Sequence, residues 1–304
     1  MITGRRITFD NISLLGREFE ITCLKEAYER VEGGHGQESI FIRGDSGSGK
    51  SSLLESFVAK HLNVQFFVRG KFDPISIHPM SAIFEALSQL CEQAASSDSL
   101  SSIGVKLQDS LGSNCELLQT ALPQSNLILG HDQSVPSISV EYHLQAIDRL
   151  HRSFRDLILA CQEEEKVVVM CIDDLQWADE QSWDLIFYLI QDIKMLRFLF
   201  IGAYRKGEIQ PERGEVIEAR MMSNLSQVID LSNLDLQNIN QLISSALKTE
   251  KEITEPLARV VFAKSAGNPH YAKEILKAIE KQKLIHFSLV NFRWEWDLPI
   301  IQSA

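Results

Sequence analysis

A chain of 304 residues with 44% hydrophobic content can bury a full core, and its length allows one large domain or two modest ones. The formal net charge of -11 argues against a broad nucleic-acid surface, which needs clustered Lys and Arg. Five cysteines and eight histidines lack metal-ligand spacing, no apolar run reaches the ~20 residues of a membrane helix, and Arg5, Arg6 and Asp10 break any signal-peptide core, so a soluble cytoplasmic chain with reduced thiols is expected.

In chain order, Ile12 to Arg17 (ISLLGR) precedes a helix-periodic stretch from Glu18 to Val31. On its own, Arg17 after Gly16 reads as a solvated turn residue. Ser39 to Arg43 (SIFIR) is a β-rich run, and Gly44, Asp45, Ser46, Gly47, Ser48, Gly49, Lys50, Ser51 and Ser52 follow it as GDSGSGKSS. Glycines at the fixed positions permit a tight loop whose amides converge on phosphate oxygens; Lys50 adds a charge near the β and γ phosphates, and the Ser51 hydroxyl suits Mg²⁺. Ser51 to His61 is helix-compatible, which points a helix N-terminus at the anion.

Val64 to Val68 reads as a second strand, Met80 to Ala94 as a helix, Ala95 to Ser102 (ASSDSLSS) as a flexible loop, and Val140 to Gln162 as a long helix. Short helix-like pieces run to Leu122, before a Gly/Pro-marked segment from Pro123 to Pro136. Val167 to Ile172 is apolar enough for a strand buried on both faces, and it ends at Asp173 and Asp174. Beside a phosphate loop, Asp173 is placed to hold Mg²⁺ through water and Asp174 to polarise an attacking water. Trp177 reads as packing and Asp179 as the N-cap of a helix from Glu180 to Asp192. Arg197 to Ala203 gives a fourth strand, after which Arg205 either reaches a γ-phosphate or is a surface arginine at a strand end. Gln227 to Leu231 is the fifth strand.

Five strands with helical crossovers predict a parallel α/β sheet over residues 1–233, followed by a helical lid over 234–304. The lid reads as helices at Leu236 to Leu247, Pro256 to Lys264 and His270 to Lys283, then a hairpin of Leu284 to Val290 and Phe292 to Trp296 around Asn291.

LLGREFE, GDSGSGKSS, IDDLQWAD, IGAYR and KSAGNPHYAKEIL, in this order, resemble the STAND branch of P-loop ATPases. More narrowly, the chain resembles the origin-recognition-like AAA ATPase module found inside large multidomain signalling kinases and adenylyl cyclases. That resemblance implies an ATP/ADP site with Mg²⁺ on Ser51 and Asp173, Gly16 and Arg17 beside adenine and ribose, Asp174 activating water, Arg205 as the sensor arginine, and Pro269 touching the base. It also implies a slow nucleotide-dependent switch acting on protein partners or on signalling domains of a longer parent, since no arginine finger is assignable and Asp174 stands where many AAA motors have Glu. A scaffold holding ADP without turnover, or an origin-type DNA-binding ATPase, are the alternatives; the acidic balance disfavours the second.

Overall fold

The computed structural model describes residues 6–9, 12–61, 66–75, 78–130, 143–162, 167–192, 194–209, 211–222 and 226–303. Val64, Pro136, Val140 and Lys166, which bound or belong to expected elements, lie outside them. The elements are α1 (Glu18–Glu32), β1 (Glu38–Gly44), α2 (Lys50–His61), β2 (Phe66–Lys71), α3 (Ser81–Ala95), α4 (Leu100–Leu111), α5 (Cys115–Ala121), α6 (Asn126–Leu129) and α7 (His143–Cys161). They continue as β3 (Val168–Asp173), α8 (Glu180–Gln191), β4 (Phe198–Arg205), α9 (Pro211–Met221), β5 (Ser226–Asp230), α10 (Leu236–Leu247), α11 (Lys251–Ser265), α12 (Pro269–Lys281), β6 (Ile285–Ser288), β7 (Arg293–Trp296) and α13 (Leu298–Ser303). The chain divides into two compact units: Cys23–Arg43 with His61–Ile229, and Met1–Thr22 with Gly44–Lys60 and Asp230–Ala304.

The first of these units carries the body of a five-stranded parallel sheet in the order β2-β3-β4-β1-β5. β3 and β4 are buried almost throughout, as central parallel strands covered on both faces must be. The aromatic layer Phe41, Phe66, Phe198 and Phe200 packs with Met170 and Ile172 under the flanking helices. The edge strand β2 would expose a row of backbone groups, and α3 covers them with side chains four residues apart. Gln93 receives the Phe67 N–H (3.1 Å) and donates to its carbonyl (2.7 Å), Gln89 does the same for Arg69 (3.0 and 2.9 Å), and Glu85 accepts from Lys71 N (3.2 Å). The close approach this requires explains Gly70, where a Cβ would collide with the Ala82 carbonyl.

The expected loop from Ala95 to Ser102 is shorter than the serines suggest, because α4 begins at Leu100. Ile103, Leu107 and Leu111 are buried at helical spacing. Each such side chain contributes about 2 kcal/mol, against about 0.5 kcal/mol for a serine in a helix, so burial wins.

In the second unit, α10, α11 and α12 share a core of Ile239, Leu242, Ile243, Leu257, Val261 and Leu276, extended by Ile285, Trp294 and Ile301 of the terminal hairpin and α13. α11 starts at Lys251 rather than Pro256; a proline in its second turn removes one N–H, while Leu257, Ala258 and Val261 are buried. α13 was not anticipated, although Asp297 ahead of Leu298-Pro299 is a helix-start signal, with Ile300 N donating to Asp297 Oδ1 at 3.3 Å. All five cysteines are free, and burial pushes the Cys91 thiol up to about 12.

Asp179 is the N-cap of α8, accepting Ser182 N on Oδ1 at 2.9 Å. Its Oδ2 also accepts Met80 N at 2.9 Å, just where Met80 takes a left-handed φ of 57° to start α3. One carboxylate thus holds two helix starts. Asp179→Ala is expected to destabilise the fold by about 2 kcal/mol, a lost cap plus an orphaned amide. Chemical denaturation checks this; an unchanged midpoint would show that neither bond matters.

Candidate functional site

The residues singled out from the sequence fall into two groups. Gly16, Arg17, Gly44 to Ser52 and Pro269 belong to the unit that contains the terminal helices, and Asp173, Asp174 and Arg205 to the unit that contains the sheet.

In the first group the loop leaves β1 at Gly44 and enters α2 at Lys50. Gly47 and Gly49 adopt φ of 77° and 100°, open to glycine at little cost, and a Cβ on Gly44 would lie 2.6 Å from the Leu231 carbonyl. Every carbonyl from Gly44 to Gly49 meets a donor. The Lys50 ammonium donates to Gly44 and Asp45 (2.8 and 2.9 Å), and Asp45 also accepts Ser48 N (3.2 Å). Ser46 accepts from the Asn268 amide (2.8 Å), Gly47 from His270 N (3.4 Å), Ser48 from Arg17 Nη2 (3.0 Å), and Gly49 from Leu53 N (2.9 Å). Negative carbonyl ends are therefore all occupied by protein donors, an arrangement suited to a loop that presents amides to an anion. Ser48 adds a buried Oγ with no hydrogen-bond partner among the described residues.

Arg17 is not a solvated turn residue. It is 4% exposed, its Nη2 also bonds the Ser232 carbonyl at 2.6 Å, and its Nη1 pairs with Glu20 at 3.3 Å. Burial lowers its pKa, and Glu20 offsets part of that loss. Gly16, at φ 62°, faces Asn238 of α10 so closely that a Cβ would lie 2.5 Å from its amide nitrogen. A cleft of about 590 Å³ opens beside the loop, walled by Ile12, Leu15, Leu234 and Pro269 and edged by Arg17, Ser52 and Lys273. Its size and mixed lining fall within the range of small-molecule sites. Asp45, Ser46 and Ser51 are exposed on the loop and the first turn of α2.

In the second group, Asp173 closes β3 and accepts the Asp174 N–H on its Oδ1 at 2.8 Å. Asp174 takes a left-handed φ of 56°, which turns its side chain into a polar cluster. Lys71 Nζ lies 3.2 Å from its Oδ2; Gln176 donates to its Oδ1 at 2.8 Å, and Arg205 Nε stands 3.8 Å from the same oxygen. The Asp174 hydrogen bond raises the Lys71 pKa. Gln176, 3% exposed, also accepts Arg205 N at 3.1 Å, so one buried amide spans acid and arginine. Arg205 further pairs with Glu208 at 3.3 Å. Lys71 and Gln176 escaped the sequence reading; the signal for Lys71 is the register that sets it beside Asp173 across β2 and β3. Trp177 is 42% exposed and does not pack as expected, whereas Trp183, 5% exposed, packs in the core.

The sequence model of the AAA ATPase domain family matches residues 13–201. The chain belongs to the AAA ATPase domain family. This AAA ATPase domain is similar to hybrid signal transduction histidine kinase G of Dictyostelium discoideum, at 27% identity over 95% of this chain and 10% of that protein. It is also similar to the peroxide stress-activated histidine kinase mak2 of Schizosaccharomyces pombe, at 23% identity over 87% of this chain and 12% of that protein. The AAA ATPase domain thus spans about a tenth of the length of these curated relatives. Its fold is similar to that of the Aeropyrum pernix ORC2 protein, solved as ADPNP-ADP complexes, with a TM-score of 0.55 and 14% identity over 99% of this chain and 71% of that one. Among the described residues no helix is long and apolar enough to cross a membrane.

Proposed function

We propose that this AAA ATPase domain binds ATP through the phosphate loop Gly44 to Ser52 and hydrolyses it slowly, as a nucleotide-dependent switch of a cytoplasmic signalling protein. The observation that carries the reading is the loop whose carbonyls are all held by protein donors, with glycines at the positive-φ positions and Lys50 at the start of α2. Arg17 and Pro269 edge the cleft beside it, which suits a base and ribose. By the family resemblance, Ser51 and Asp173 are the residues that would hold Mg²⁺, which would neutralise charge developing on the phosphates.

A slow rate follows from the state of Asp174. As the residue that would accept a proton from water, it is engaged by Lys71, Gln176 and Arg205, and those contacts must give way. The same contacts are what an ADP-holding scaffold without turnover would have, and single-turnover hydrolysis separates the two. The kinase relatives, each far longer than this chain, support a domain that reports to covalently linked signalling parts or protein partners.

In this reading the helical part after residue 234 is the lid, and Arg205 senses the γ-phosphate. ATP and ADP are therefore expected to give different hydrogen-exchange protection across Leu236 to Lys283, with Arg205→Ala erasing the difference while ADP still binds. Identical protection in the two nucleotide states of the unmutated chain would leave a static binding module.

A further inference from the structure

The turn between α11 and α12 is built without slack. Gly267 takes φ 76° with its carbonyl on Leu234 N at 2.9 Å, and a Cβ there would collide with the Leu234 carbonyl. The next residue, Asn268, is 4% exposed and caps α12, its Oδ1 accepting His270 N at 3.0 Å and Tyr271 N at 3.3 Å. Two N–H donors converging on one atom require that atom to be oxygen, so the amide cannot be flipped and its nitrogen is the atom facing the Ser46 carbonyl at 2.8 Å. Beside this bond the Gly47 carbonyl accepts His270 N at 3.4 Å, and a Cβ on Gly47 would lie 2.7 Å from His270 Cβ. The apex of the phosphate loop therefore rests directly on the first turn of α12.

We propose that Asn268 is a positioning residue for the nucleotide's phosphates, coupling the seating of α12 to the conformation of the phosphate loop through one side chain. The carbonyl and N–H of a trans peptide point in opposite directions. Drawing the Ser46 carbonyl toward α12 turns the Gly47 N–H away from α12 and leaves it for an anion, if the loop is the phosphate site. The same amide caps the helix with its oxygen, so α12 cannot shift its N-terminus without releasing the loop. By linkage, a phosphate ligand that selects this loop conformation also tightens the first turn of α12, and loosening that turn weakens the ligand by the same factor. The proposal rests on the reading of Gly44 to Ser52 as the phosphate site.

The test separates cap from latch. Asn268→Ser keeps an efficient N-cap but ends one atom short of the loop, and Asn268→Asp keeps the cap and the shape while replacing the donor with an acceptor. Fluorescent ADP titration of Asn268→Ser is expected to show affinity reduced about tenfold, with the melting temperature of the nucleotide-free protein lowered by no more than about 4 °C. The ADP-induced slowing of amide exchange at Tyr271 to Lys273 is expected to fall with it, and Asn268→Asp is expected to bind more weakly still. Parent-like affinity in Asn268→Ser overturns the proposal, as does loss confined to Asn268→Asp, which would be charge repulsion alone. A lowered melting temperature with unchanged affinity of the folded protein would reduce Asn268 to a structural cap and also overturn it. Lys50→Ala keeps the two readings apart. If it abolishes ADP binding while Asn268→Ser does not weaken it, only the latch fails; if neither weakens binding, the phosphate site itself is wrong.

Discussion

Replacing Lys50 by alanine is expected to lower ATP and ADP affinity by roughly two orders of magnitude, the scale of losing charge-assisted hydrogen bonds from a phosphate cradle. The ammonium has two tasks in this geometry. It bonds the Gly44 and Asp45 carbonyls, and it is the cation at the start of α2 within the loop. Without it the Gly44 carbonyl would lose its donor, the Asp45 carbonyl would keep only Ser48 N, and the cradle would lose its charge. The Lys50→Ala protein should still fold, because the core beneath the loop, Leu53 and Phe57 of α2, is untouched. Equilibrium dialysis with labelled ADP on the folded variant checks the outcome. Unchanged affinity would remove the phosphate-loop assignment and every role derived from it.

The strands and the loop were legible because their signals are local. Val167 to Ile172 is a short apolar run of the length a doubly covered strand needs, and a Gly-rich loop between strand and helix carries its own geometry. Helix α10 was legible for the same reason, since Leu236 to Leu247 shows its buried stripe within three turns. What sequence did not show were the side chains that bind distant backbone. Arg17 reaches Ser232 across 215 positions, and Asn268 reaches Ser46 across 222. No periodicity encodes such pairs; they exist only once the loop, the N-terminal segment and α12 pack together. Arg17 read alone as a solvated turn residue because nothing in its neighbours shows that two carbonyls lie within reach. The pairing of Glu85, Gln89 and Gln93 with β2 was hidden differently: three polar residues at four-residue spacing look like an ordinary solvated helix face until an open strand edge lies against them.

The two adjacent acids at the end of β3 should separate by role. Asp173→Asn is expected to weaken Mg²⁺-dependent ATP binding, because that carboxylate ends the strand where a metal's water ligands would be held. Asp174→Asn is expected to leave ATP bound and to slow single-turnover hydrolysis by about a hundredfold to a thousandfold, the scale of a lost general base. An Asn at 174 can keep an acceptor for the Gln176 amide, so the cluster that fixes Arg205 N should survive. The Lys71 contact decides how firmly the acid is held. Lys71 is 64% exposed at its side chain, and an ion pair so open to water contributes at most about 1 kcal/mol. Lys71→Met should therefore raise the hydrolysis rate by no more than about fivefold, which places the larger restraint on the buried Gln176. Rapid-quench measurements on the three variants test the division. Equal loss of Mg²⁺-dependent binding in Asp173→Asn and Asp174→Asn would contradict it, and unimpaired hydrolysis in Asp174→Asn would assign the proton to another group.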